Sequence, residues 1–106
     1  MSEFRLSHEA NADLDEIADY YDRRDPSIAP RIFDALFETM EFLADHPGAG
    51  DRRDDLRPGL RVFPGQNAAR SYVIFFLATT TGIEVVAVIH GSRDWETLFP
   101  ERAKNR

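Results

Sequence analysis

The stretch "SYVIFFLATTTGIEVVAVIH", Ser71 to His90, decides the fold. It reads as two strands, Ser71 to Thr79 and Ile83 to His90, around the turn residues Thr80-Thr81-Gly82. In the first, Tyr72 to Ala78 is apolar on both faces, as in a central strand covered on both sides. In the second, a two-residue period puts Ile83, Val85, Ala87 and Ile89 on one face and Glu84, Val86, Val88 and His90 on the other. A sheet built around these strands needs two covering layers.

Outward from that pair, Phe4-Arg5-Leu6 suits a short first strand and Ser7 a helix N-cap, with the helix starting at His8. Ala10, Leu14, Ile17, Ala18 and Tyr21 form its apolar stripe, Glu9 suits its positive end, and Asp25-Pro26 stops it. Ser27 is the expected cap of a second helix that tolerates Pro30 in its first turn. Its apolar face is Ile32, Phe33, Leu36, Phe37, Met40, Leu43 and Ala44, and His46-Pro47-Gly48 ends it. The two should pack as an antiparallel hairpin. "GLRVFP", Gly59 to Pro64, reads as a strand and "GQNAAR", Gly65 to Arg70, as a loop.

The order is β-α-α-β-β-β: an α+β fold with a helical hairpin packed on an antiparallel sheet, one domain over residues 1–106. Two helices cover one side only. The other side needs Trp95, Leu98 and Phe99 to fold back, or a partner chain to dock, because a bare apolar sheet face is a sticky patch.

The net charge is −6, with Asp13, Asp15, Glu16, Asp19 and Asp22 crowded near the start, which argues against direct nucleic-acid binding. Arg52, Arg53, Arg57, Arg61 and Arg70 form a local basic patch on that acidic body. With no cysteine, disulfides and thiolate chemistry are excluded. His8, His46 and His90 lack zinc-ligand spacing, so no metal and no cofactor is expected. No secretory signal and no apolar run near the ~20 residues of a membrane span appears, so the expected location is cytoplasmic, away from membranes.

"HGSRD", His90 to Asp94, holds the residue types of a hydrolase triad but no Gly-x-Ser-x-Gly elbow. The simpler reading is a turn after the strand, broken by Gly91, with Asp94 capping a short helix from Trp95. RNA cleavage would need a proton carrier, His90 or Glu84, and cations for the transition state, from Arg61, Arg70 and Arg93. Alternatively Arg61 and Arg93 are surface groups paired with carboxylates such as Asp54, Asp55 and Asp94.

Three strings together, "FRLSHEANADLDEIADYY", "FLADHPGAGDRRDDLRPGLRVFP" and "SYVIFF" with "IEVVAVIHGSRD", resemble the ParE-like branch of the RelE/ParE superfamily, toxins of bacterial type II toxin–antitoxin pairs. The resemblance runs from about Phe4 to Asp94. It implies the same β-α-α-β-β-β fold, an antitoxin whose C-terminal segment wraps the toxin, and room for higher-order assembly. RelE-like members resemble one another in cutting messenger RNA on the ribosome, whereas ParE-like members are linked to poisoning DNA gyrase without being nucleases. Of the RelE-like catalytic set, this chain keeps Arg61 and a basic match at Arg93. Tyr72 stands where an arginine is expected, and the single lysine is Lys104.

Phe76 replaces a common tyrosine, and "GQNAAR" lengthens the preceding loop. The expectation is a gyrase-directed toxin, not itself an enzyme, with Arg61, Arg70, Arg93, Trp95, Leu98 and Phe99 as target or antitoxin contacts. The alternatives are an endoribonuclease using Arg61, His90 and Arg93, or a non-toxic antitoxin-binding module.

Overall fold

A computed structural model describes residues 2–95, 97 and 99. Ser7 turns strand β1 (Glu3–Leu6) into helix α1 (His8–Arg24): its Oγ accepts the Ala10 N–H at 3.0 Å, satisfying one of the free first-turn donors. Helix α2 (Ala29–Asp45) begins differently from expectation, with Ile28 at the N-cap and no side-chain cap. Ser27 is engaged elsewhere, its hydroxyl donating to Asp25 Oδ1 at 2.6 Å and its N–H to the same oxygen at 3.3 Å. An aspartate turn has outcompeted the serine cap.

Then come β2 (Asp51–Arg52), β3 (Arg61–Pro64), a 3-10 turn (Asn67–Ala69) inside the expected loop, β4 (Tyr72–Ala78) and β5 (Gly82–His90). The five strands form one sheet in the order β1-β5-β4-β3-β2. Strands β2 to β5 pair antiparallel, while β1 lies parallel to β5, so the sheet is mixed rather than wholly antiparallel. The reason is topological: two helices and then three reversals bring β5 back to the direction of β1. The two-residue β2 is too short to show a period in the sequence.

The period of β5 breaks in its middle. Phe75 pairs with Ala87 but Phe76 with Val85, so Val86 is an extra residue, a β-bulge. Before it Ile83 and Val85 face the helices. After it Val88 does, while Val86, Ala87 and Ile89 join the opposite layer. The uninterrupted alternation expected from the sequence therefore holds only up to Val85.

Helices α1 and α2 cover one face through Leu14, Ile17, Leu36, Met40 and Leu43, against Ile74, Phe76, Ile83 and Val85. The opposite face is closed by the chain itself. Phe75 meets Trp95 at 5.3 Å and Phe99 at 4.7 Å between ring centroids, and Phe99 is 1% exposed. Burial of each such ring stabilises by about 1.5–3 kcal/mol. Leu98 lies outside the described residues.

Candidate functional site

The bulge at Val86 determines where His90 goes. Its one-residue shift puts His90 on the same face as Val88, toward α1, and opposite Tyr72 in the β4–β5 pairing. The two rings meet edge to face with centroids 5.4 Å apart. Tyr72, only 6% exposed, donates its hydroxyl to the Tyr21 hydroxyl of α1 at 3.2 Å. Burial, and then that hydrogen bond, push the Tyr72 phenol well above the usual tyrosine range.

Around this contact lies a cleft of about 520 Å³ between α1 and the adjoining ends of β4 and β5. One wall is Asp13, Glu16, Ile17 and Tyr20; Tyr21, Tyr72 and Val88 form the floor; His90, Ser92 and Arg93 form the far lip. Asp13 does structural work here: its Oδ2 accepts the Val88 N–H at 2.9 Å, on the part of β5 that β1 does not reach. Sequence reasoning missed this role. Its signal was a carboxylate three residues after Ala10 and four before Ile17, inside the apolar stripe.

The lip is a local turn. His90 Nδ1 accepts the Ser92 N–H at 3.1 Å and lies 2.7 Å from Ser92 Oγ, while the Arg93 N–H donates to the His90 carbonyl at 3.0 Å. An Nδ1 that accepts a backbone N–H leaves the ring proton on Nε2. The Ser92 N–H and hydroxyl thus meet the same Nδ1 within a two-residue turn, a local arrangement that a strand end forms by itself. Asp94 stands ahead of the helical Trp95, its carbonyl accepting the Thr97 hydroxyl at 2.8 Å.

The arginines lie in different places. Arg61 on β3 pairs with Phe76, four residues along β4 from Tyr72, whereas His90 pairs with Tyr72 from the other side. Strand geometry then separates the Arg61 and His90 backbones by roughly 16 Å. Glu84, opposite Leu77, sits at the far end of β5 from His90. Of the proposed RNA-cleaving groups, only His90 and Arg93 line the same cleft. Arg70 is exposed on the neighbouring loop, where the Gly91 N–H donates to the Ser71 carbonyl at 2.8 Å.

The expected partners of Arg61 are also taken. Arg52 forms a two-bond pair with Asp54 (3.0 and 3.1 Å), and Arg53 does the same with Asp55 (3.0 and 2.8 Å). Arg61 instead donates to the Gly50 carbonyl at 3.2 Å. The Arg52 bond and then the Gly59 N–H hold Asp54 below the usual carboxylate range; Arg53 does so for Asp55. Among the described residues, no ion pair involves Arg70 or Arg93. Trp95 is half-buried under the Arg53 guanidinium, 4.7 Å above its ring.

Comparison with known proteins places this architecture. The family described as ParE toxin of the type II toxin–antitoxin system, parDE, matches residues 4–95. Toxin ParE1 of Caulobacter vibrioides is 36% identical over 93 residues, covering 87% of this chain and 92% of the relative. Toxin ParE1 of Mycobacterium tuberculosis is 35% identical over 95 residues, covering 88% and 93%. A solved structure described as the chromosomal ParDE TA system from P. aeruginosa superposes with a TM-score of 0.69 at 22% identity, over 85% of this chain and 96% of that one. Two helices on a five-stranded mixed sheet, together with these sequence matches, are thus the fold of a ParE-like toxin. The chain belongs to the ParE toxin family of type II toxin–antitoxin systems.

Proposed function

We propose that this protein arrests bacterial growth by inhibiting DNA gyrase in the cytoplasm, without being an enzyme itself, and that a cognate antitoxin neutralises it. Beyond family membership, the observation that carries the reading is the separation of Arg61 from His90. Phosphoryl-transfer catalysis depends on cations already positioned around the developing charge, and a group two strands away supplies little of that. The antitoxin follows from the family and from the toxin–antitoxin system solved for the P. aeruginosa relative. Exposed Arg70 and Arg93, half-buried Arg61 and the accessible part of Trp95 are the contacts assigned to target or antitoxin. Phe99, buried against Phe75, serves the sheet's second layer in this structure.

Expression of the gene alone, and then with its neighbouring reading frame, is the deciding experiment. The expected result is arrest with induction of the SOS response, relieved by the neighbour. Arrest without an SOS signal and without gyrase inhibition in vitro removes the gyrase assignment, and absence of arrest identifies a non-toxic module. The competing nuclease reading rests on His90 and Arg93 sharing the cleft. Site-specific cleavage on programmed ribosomes that disappears in His90→Ala would establish it instead.

A further inference from the structure

Charge is not spread evenly around α1. At about 3.6 residues per turn, Asp15, Asp19 and Asp22 fall on the side of the helix away from the cleft. Asp13, Ile17 and Tyr20 line the cleft, and Arg24 continues their row at the helix end. Asp13 is engaged by the Val88 N–H. Arg24 lays its guanidinium over the Tyr20 ring, 4.1 Å from the centroid, and Arg23 stands beside it in the same last turn.

The sheet brings two more arginines to this end of the molecule. The Gly91 N–H donates to the Ser71 carbonyl, so Arg70, one residue before Ser71, and Arg93, two residues after Gly91, leave neighbouring strand ends. Arg93 lines the cleft together with Tyr20. All four arginines are exposed, and among the described residues none of them forms an ion pair. Arg52 and Arg53, by contrast, each hold a carboxylate through two bonds.

A guanidinium without a carboxylate partner keeps its forked donors for another oxyanion, and phosphate is the one its geometry fits in pairs of bonds. Four of them at one end of the molecule match a run of phosphates better than a single carboxylate. The net charge of −6 still repels DNA from the body as a whole. This end can therefore hold phosphates only where another protein already presents them. Gyrase with its bound duplex does so, offering a protein surface for the body and a phosphate backbone for the arginines.

We propose that Arg23, Arg24, Arg70 and Arg93 contact the phosphates of the DNA that gyrase holds, so that the toxin recognises the gyrase–DNA complex and neither component alone. This assignment rests on the gyrase reading above and adds the surface and the chemistry of the encounter.

Binding of the full chain to gyrase with and without a DNA duplex, and to the duplex alone, tests it. The wild-type chain should bind the gyrase–DNA complex at least about tenfold more tightly than gyrase alone or DNA alone. Arg70→Gln with Arg93→Gln should abolish that gain and raise the concentration needed to inhibit supercoiling at least about tenfold, and Arg23→Gln with Arg24→Gln should do the same. Each pair removes two phosphate contacts, so the slope of log affinity against log salt concentration should fall by roughly 1.8. Arg5→Gln removes a like charge from the opposite end of the β5 ladder and should leave inhibition unchanged. All these side chains are exposed, so every variant should keep the wild-type unfolding midpoint and bind the product of the neighbouring reading frame within about twofold. Unchanged inhibition by both double variants, or equal wild-type affinity for gyrase with and without DNA, overturns the arginine assignment and leaves the gyrase reading standing. Loss of antitoxin binding in the same variants makes an acidic stretch of the antitoxin the occupant and also overturns it, as does wild-type binding to DNA alone that equals binding to the complex. A wild-type chain that does not inhibit gyrase removes both.

Discussion

Tyr72 links the two sides of the cleft through one hydroxyl. Removing that hydroxyl in Tyr72→Phe leaves the Tyr21 oxygen without its donor and should cost about 0.5–1.5 kcal/mol in denaturant unfolding, with the ring packing kept. Because the raised phenol pKa means that the folded state holds its proton more tightly than the unfolded chain, the associated stability is complete below about pH 10 and falls as pH rises beyond it. Ultraviolet titration compared with Tyr72→Phe should locate the lost phenol above the ordinary range. A titration within that range would mean that the hydroxyl is open to water. Asp54 has the opposite sign. Its depressed pKa gives stability present above the ordinary carboxylate range and lost as pH falls through the folded value. That contribution is small because the Arg52–Asp54 pair is exposed to screening water, so Asp54→Asn should leave the unfolding midpoint nearly unchanged at high salt.

The bulge in β5 is the element on which the cleft depends. Deleting Val86 would remove the extra residue and leave strict alternation, with Val85, Val88 and His90 still toward the helices and Ala87 and Ile89 still in the opposite layer. That variant should fold and keep the His90–Tyr72 ring contact in nuclear magnetic resonance spectra, as should Val86→Ala, which keeps the bulge. Loss of that contact in the deletion variant would show that Val86 is not the residue that sets the facing of His90. Such a feature leaves no mark in the sequence: Ile83 to Ile89 is apolar enough to be read with or without a shift, since both layers accept Val, Ala and Ile. The larger elements were legible because their signals are redundant. Ser7 as a cap, the stripes of α1 and α2, and the two-faced apolar β4 each agree with their neighbours, so one ambiguous residue cannot change the reading. The cleft was legible only in fragments. His90 and Arg93 stand out as residue types, but Asp13 and Tyr21 arrive from a helix some 70 positions away, and only tertiary pairing brings them together.

At the scale of the molecule, the sheet's second layer is thin, and its stability rests on few side chains. Phe99→Ala should lower stability by about 3–5 kcal/mol, through lost burial and the void left beside Phe75. Arg70→Ala should change it by less than about 0.5 kcal/mol, because the side chain is exposed. Thermal unfolding of both variants checks the contrast; similar midpoints would mean that Phe99 is not a core residue. Gly82 marks another whole-chain constraint: a Cβ there would strike the Glu3 carbonyl, and Gly82→Ala should destabilise by more than about 1 kcal/mol. That close approach belongs to the pairing of β1 with β5, which joins residues such as Leu6 and Val85 from opposite ends of the chain. During translation at roughly 5–20 residues per second, Leu6 waits about 4–16 s for Val85 to be made. The nascent polypeptide therefore carries an unmatched first strand and an open helix layer through most of its synthesis, and the native surface forms only after β5 has emerged. The cleft between α1 and β5 cannot exist in that interval, because its Val88 and His90 belong to the strand still to be made.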